Sequence, residues 1–152
     1  MNNTFKMMQT HRAVVLADYL PEFVRAHPSC EIHVGCDSQN YNQQTTYVTT
    51  VVLRYPGKGA HVLYQKIKHP QVKDMWSRLW KEIEYSMEVA QFIQDECGLK
   101  VHQIDLDFNE NPDYASHKVL KAAVGYVQSM GFESKAKPHL LMATWAANSL
   151  CQ

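Results

Sequence analysis

The chain has 152 residues, 45% hydrophobic and 20% charged, the composition of a soluble globular protein with room for one core but not comfortably for two. Its 15 Lys and Arg balance its 15 Asp and Glu, so no general attraction to nucleic acid or to an anionic membrane follows, and a nucleic-acid surface would have to be a local patch. No apolar run approaches the ~18 residues of a membrane span, and four scattered cysteines do not make a secreted disulfide scaffold.

The opening MNNTFKMMQTHR lacks the apolar core of a secretory signal. A reduced, cytoplasmic protein of a single domain, residues 1–152, is therefore expected. Residues 11–26, HRAVVLADYLPEFVRA, predict a helix that Pro21 kinks or restarts, making residues 1–28 an N-terminal helical extension. Glu31–Asp37 predicts a strand with Ile32, Val34 and Cys36 on one face and His33, Gly35 and Asp37 on the other. NYNQQ, residues 40–44, is a polar turn. Thr45–Leu53, rich in β-branched residues, is a strand. After the turn Pro56–Gly59, Ala60–Lys68 is a third, and the short links favour an antiparallel meander.

A long helix follows, with Asp74 as its N-cap and Gly98 as its stop. Leu99–Phe108 predicts a fourth strand, residues 109–114 a loop, and residues 115–131 a second long helix. A short fifth strand lies in residues 132–137, and Leu140–Leu150 forms a last helix. The order β-β-β-α-β-α-β-α, behind an extra N-terminal helix, predicts an α/β (α+β) fold with a five-stranded mixed sheet and helices on its faces.

Acids stand where this pattern asks for other residues. Asp37 closes the first strand, although a carboxylate is costly to bury unless it is paired or bound to a metal. Asp105 and Asp107, two apart, share a face of the fourth strand. On the long helix, Trp76, Leu79, Trp80, Ile83, Met87 and Ala90 form an apolar stripe at about 100° per residue. Glu82 lies nearest its axis, Glu84 farther round, and Glu88 almost opposite, in solvent. If the first and fourth strands are neighbours, Asp37 and Asp105 come together and Glu82 leans over them. Three clustered carboxylates repel one another and call for a cation, and hard oxygen donors select Mg²⁺ or Mn²⁺. The plainer alternative makes Asp37 and Asp107 turn-formers and leaves the Glu82 carboxylate in water. Cys30, His33 and Cys36 offer three zinc donors without an obvious fourth. Tyr47, Tyr55, Tyr64, Trp76 and Trp80 repeat at strand or helix spacing and are read as core rather than as base-stacking platforms.

The motifs VGCDSQ, TTYVTTVVLRYPGKGA, VHQIDLDFN, GYVQSMGF, and KP before an alanine-rich helix occur in this order between about Cys30 and Asn148. They resemble the YkuK family of ribonuclease H-like proteins. The resemblance implies a ribonuclease H-like fold and metal-dependent hydrolysis of phosphodiester bonds in RNA or DNA, with Mg²⁺ or Mn²⁺ as cofactor. It implies Asp37, Glu82 and Asp105 as catalytic acids and metal ligands, with Asp107 a further ligand. One departure stands at the C-terminus. An alanine-aspartate pair typical of the group reads Ala147-Asn148 here, leaving Asn148 an uncharged ligand, with His139 the other nearby candidate. On the same reading Ser38, Gln39 and Asn40 steer the sugar-phosphate backbone, and Lys58 and Lys137 contact phosphates, unless both lysines are merely solvated. The rival reading is a catalytically impaired module that binds nucleic acid or a protein. A third is a structural subunit that dimerises through an open edge strand. Oligomeric state, RNA against DNA, and endo against exo cleavage stay open.

Overall fold

A computed structural model describes residues 1–55, 57–109, 116–137 and 141–151, apart from the side chains of Asn109, Ser116 and Lys137. The described chain begins with strands β1 (Thr4–Met7) and β2 (Ala13–Val15) and helix α1 (Leu16–Ala26). Three long strands follow, β3 (Glu31–Tyr41), β4 (Gln44–Tyr55) and β5 (Gly59–Pro70). Then come α2 (Met75–Asp95), β6 (Gln103–Asn109), α3 (Ser116–Ser129), β7 (Ser134–Lys137) and α4 (Met142–Cys151). From β3 onward this is the expected β-β-β-α-β-α-β-α order. Among the described residues no helix is long and apolar enough to cross a membrane.

The mixed sheet has seven strands rather than five, in the order β2-β1-β5-β4-β3-β6-β7. The two unexpected strands correct the reading of residues 1–28 as a helical extension. The β-branched pair in Ala13–Val15 takes extended backbone and pairs with β1, which pairs with β5. Phe5 and Val14 thereby enter the core, and the β5 edge is covered. Only from Leu16 on does helical spacing take over, with Leu16 and Leu20 buried.

The meander also runs longer than expected. β3 does not stop at Asp37 but continues to Tyr41, paired antiparallel with β4 as far as Tyr41–Gln44. Asn42 and Gln43 make the turn alone, both at positive φ (50° and 61°), as a tight two-residue hairpin requires. What ends near Asp37 is the other ladder. β3 pairs parallel with β6 only through His33–Gln103, Val34–Ile104 and Gly35–Asp105.

The alternation of β3 and β6 assigns the two faces. Ile32, Val34, Ile104, Leu106 and Phe108 share the main core with Leu79, Ile83 and Met87 of α2 and with Leu120 and Val127 of α3. The opposite face of β3 meets α4 at Gly35. A Cβ there would stand 2.9 Å from Ala143 Cβ and 3.0 Å from the Thr144 backbone nitrogen, and Thr50 Oγ1 ties the Ala143 carbonyl to the same spot (2.7 Å). Gly35→Ala is therefore expected to destabilise the fold by about 1–3 kcal/mol through overpacking, read as a lower urea midpoint with an unchanged slope.

Of the aromatics assigned to the core, Tyr47 and Tyr64 are buried, and Tyr55 and Trp80 are half-buried. Trp76 is not in the core. It stands in the first turn of α2, 48% exposed, its ring stacked on Trp80 (centroids 6.4 Å apart, planes within 6°).

Candidate active site

The candidate acids lie near the end of the β3–β6 ladder. Two residues past the last pair of that ladder, Gly35–Asp105, β3 carries Asp37 and β6 carries Asp107, where β6 shifts its register with β7 between Leu106 and Asn109. α2 presents Glu82, which is 4% exposed, whereas Glu84 and Glu88 are exposed. Ser38, the neighbour of Asp37 but pointing to the α2 side, donates to Glu82 Oε1 at 2.5 Å. Glu82, Cys36, Asp105, Leu106 and Asp107 are among the residues that line a crevice too narrow for a water molecule.

Burial lifts the Glu82 carboxyl well above the usual range. The Ser38 hydrogen bond pulls it down, the charges of Asp37 and Asp107 push it up, and the Arg78 guanidinium opposes them. Glu82 also acts on its surroundings. Burial, and then the Glu82 charge, push the Tyr47 phenol up to about 12. Burial, then Asp37 and Glu82, do the same to the Cys151 thiol.

A carboxyl that titrates higher in the folded chain than in the unfolded one stabilises the fold fully below its ordinary pKa of about 4.3. That contribution is lost as pH rises through the raised value. Glu82→Gln keeps an acceptor for Ser38 and cannot ionise. In chelator it should melt above the parent at pH 8, by about 2–4 °C for each kcal/mol recovered, with the gap closing toward pH 5. A gap that does not change with pH would mean that Glu82 is not held in its neutral form.

Asp105 has both carboxyl oxygens engaged by the protein. Its side chain is 2% exposed, and its two oxygens accept from the Ala143 backbone N–H (2.9 Å) and from Gln103 Nε2 (2.6 Å). A carboxylate from the sheet thus closes the N-terminus of α4, where backbone donors lack intrahelical partners. Burial raises its carboxyl, and the Gln103 and Ala143 bonds draw it back.

The remaining sequence-level candidates scatter. Asn148 is exposed on α4; one turn further on, Cys151 reaches the Asp37 backbone, its Sγ 3.6 Å from the carbonyl oxygen. Asn40 is occupied by Thr45 Oγ1 (2.5 Å) and the Val72 carbonyl (3.3 Å). Lys58 lies beyond Tyr55, whereas Asp37 pairs with Val48, so about 23 Å of extended strand separates them. The Lys137 side chain and His139 lie outside the described residues. Among the described residues no three His, Cys, Asp or Glu side chains are grouped to hold a metal ion; this covers Cys30, His33 and Cys36 as well as the acids. Gln39 is exposed beside Lys66 and Lys68, two lysines not singled out from the sequence, although their two-residue spacing on a strand puts them on one face.

A seven-stranded mixed sheet with an antiparallel meander, a parallel crossover and acids on the central strands defines the class. The chain belongs to the ribonuclease H-like family, whose pattern it matches over residues 16–152. It is similar to the uncharacterized protein YkuK of Bacillus subtilis (strain 168), with 28% identity over 145 aligned residues covering 85% of this chain and 84% of that one.

Proposed function

We propose that the chain is a metal-dependent phosphodiesterase acting on nucleic acid, with Asp37, Glu82 and Asp107 as its carboxylate set and Mg²⁺ or Mn²⁺ as its cofactor. The observation that carries this reading is Glu82, a buried acid that feels the charges of two aspartates. Mutual repulsion among three such groups is relieved by a cation. The donors are all oxygen, as a hard divalent ion prefers. Their spacing is looser than coordination demands, so side chains must rotate inward on binding.

When bound, divalent ions would acidify a water and neutralise charge on the departing oxygen. The chain's own part is to hold and aim the acids. β3 and β6 carry Asp37 and Asp107 two residues past the end of their ladder, and Ser38 holds one Glu82 oxygen in place. Glu82 must give up its proton before it can bind a cation, so ion affinity falls as pH falls.

Two measurements test this. Millimolar Mn²⁺ should raise the melting temperature of the parent and leave Asp37→Asn unmoved. Labelled single-stranded RNA, single-stranded DNA and their hybrid should be cut in Mg²⁺ or Mn²⁺ and not in chelator. No ion-dependent stabilisation and no cleavage would sink the proposal. The rival, a module that binds nucleic acid without cutting it, draws on the wide spacing of the acids. Ion binding with no cleavage of any substrate would decide for it.

A further inference from the structure

α4 brings Cys151 over the backbone of Asp37, at one edge of a further stretch of the same sheet face. The row through Asp37 runs Asp37–Val48–Lys66, and the next runs Gln39–Thr46–Lys68. Tyr41 and Gln44 make the outermost pair. With Cys151 at one rim, these residues line an open cleft of about 440 Å³. None of its described lining residues is acidic, so a chain of zero net charge carries here a local cationic strip. Lys66 and Lys68 are exposed, and Tyr41 is 74% exposed, a large aromatic surface left to water at the tip of a rigid hairpin.

The chemistry of the lining suits one ligand. Lysines two apart on a strand place two ammonium groups in line, as a polyanionic backbone needs and a lone anion does not. Amide and hydroxyl side chains between them suit sugar and phosphate oxygens. An exposed ring at the far end offers a stacking face to an unpaired base, which a duplex keeps occupied within its own stack. We infer that this cleft binds single-stranded nucleic acid, with an unpaired base on Tyr41 and backbone phosphates on Lys68 and Lys66. The strand then leads along the sheet to Asp37; that last clause rests on the phosphodiesterase reading, while the binding does not.

The test is fluorescence anisotropy with labelled single-stranded RNA, single-stranded DNA and duplex of the same sequence, in chelator, across a salt series. The full chain should bind single strands more tightly than duplex. Replacing both Lys66 and Lys68 by alanine should weaken binding about tenfold and flatten the slope of log K against log salt by about 1.4, or about 0.7 per lost phosphate contact. Tyr41→Ala should weaken binding about tenfold with the salt slope unchanged, as loss of one stacked base predicts. Lys58→Ala, at the other end of the meander, should change nothing. Thermal melts confirm that these surface variants fold. Binding unmoved by the Lys66/Lys68 and Tyr41 changes, or equal affinity for duplex, overturns the cleft. Cleavage is scored separately in Mn²⁺. Intact binding without cleavage removes the phosphodiesterase reading and leaves the cleft; cleavage undiminished in the cleft variants removes the cleft and leaves the enzyme.

Discussion

Asparagine at Asp107 is expected to lower metal-dependent cleavage as severely as asparagine at Asp37, by about 100-fold or more, since even the partners of metal ligands are worth about 10–100-fold. The expectation follows from position and charge. β3 and β6 pair in parallel as far as Gly35–Asp105, and Asp37 and Asp107 each stand two residues beyond that pair. Both charges act on Glu82. Each substitution removes one negative charge from the trio, weakening cation affinity while relieving repulsion in the ion-free protein. Both variants should therefore melt at or above the parent in chelator and lose the stabilisation by Mn²⁺. The rates are to be compared in Mg²⁺ at saturating substrate. Parental cleavage by Asp107→Asn, together with a dead but fully stable Asp105→Asn, would return the role to Asp105.

Asp105→Ala is expected to be among the most destabilising single changes in the chain, at about 2–4 kcal/mol, or about 5–15 °C in melting temperature. The Ala143 N–H would lose a charged acceptor 2.9 Å away, and Gln103 would lose its own at 2.6 Å. No water readily replaces them, because the side chain is almost wholly enclosed. The negative charge also faces the positive end of the α4 macrodipole. Asp105→Asn keeps an acceptor without the charge and should lose about half as much. Urea unfolding in chelator separates this effect from ion binding. A midpoint within about 0.5 kcal/mol of the parent, the range of ordinary surface changes, would show that Asp105 does not hold α4.

Much of the architecture was legible because local rules and tertiary needs agreed. The β-branched run in β4, Asp74 before α2 and the apolar stripe of α2 each pointed to the element that forms. Asp74 does cap α2, accepting from the Ser77 backbone N–H at 2.9 Å. The N-terminus was misread because helical and strand spacings overlap in HRAVVLADYL, and only the β5 edge makes extended backbone worthwhile for Ala13–Val15. Asp37 was read as a strand end because three polar residues follow it. Those residues remain extended because β4 supplies a partner for each of them.

The candidate site divides in the same way. Which helix acid faces inward follows from the 100° step alone, since the sheet can meet only one side of α2. The identity of the acids, and the strand face shared by Asp105 and Asp107, are likewise fixed by composition and the two-residue period. That period is silent on how far one strand slides along another. The distinction between Asp105, which closes the N-terminus of α4, and Asp107, whose charge acts on Glu82, rests on where the last helix and α2 dock on the sheet. Lys66, Lys68 and Tyr41 likewise become one surface only when three strands align in register. Alternation assigns a residue to a face, but contacts between distant segments decide its neighbours there, and the chemistry of a site belongs to the neighbours.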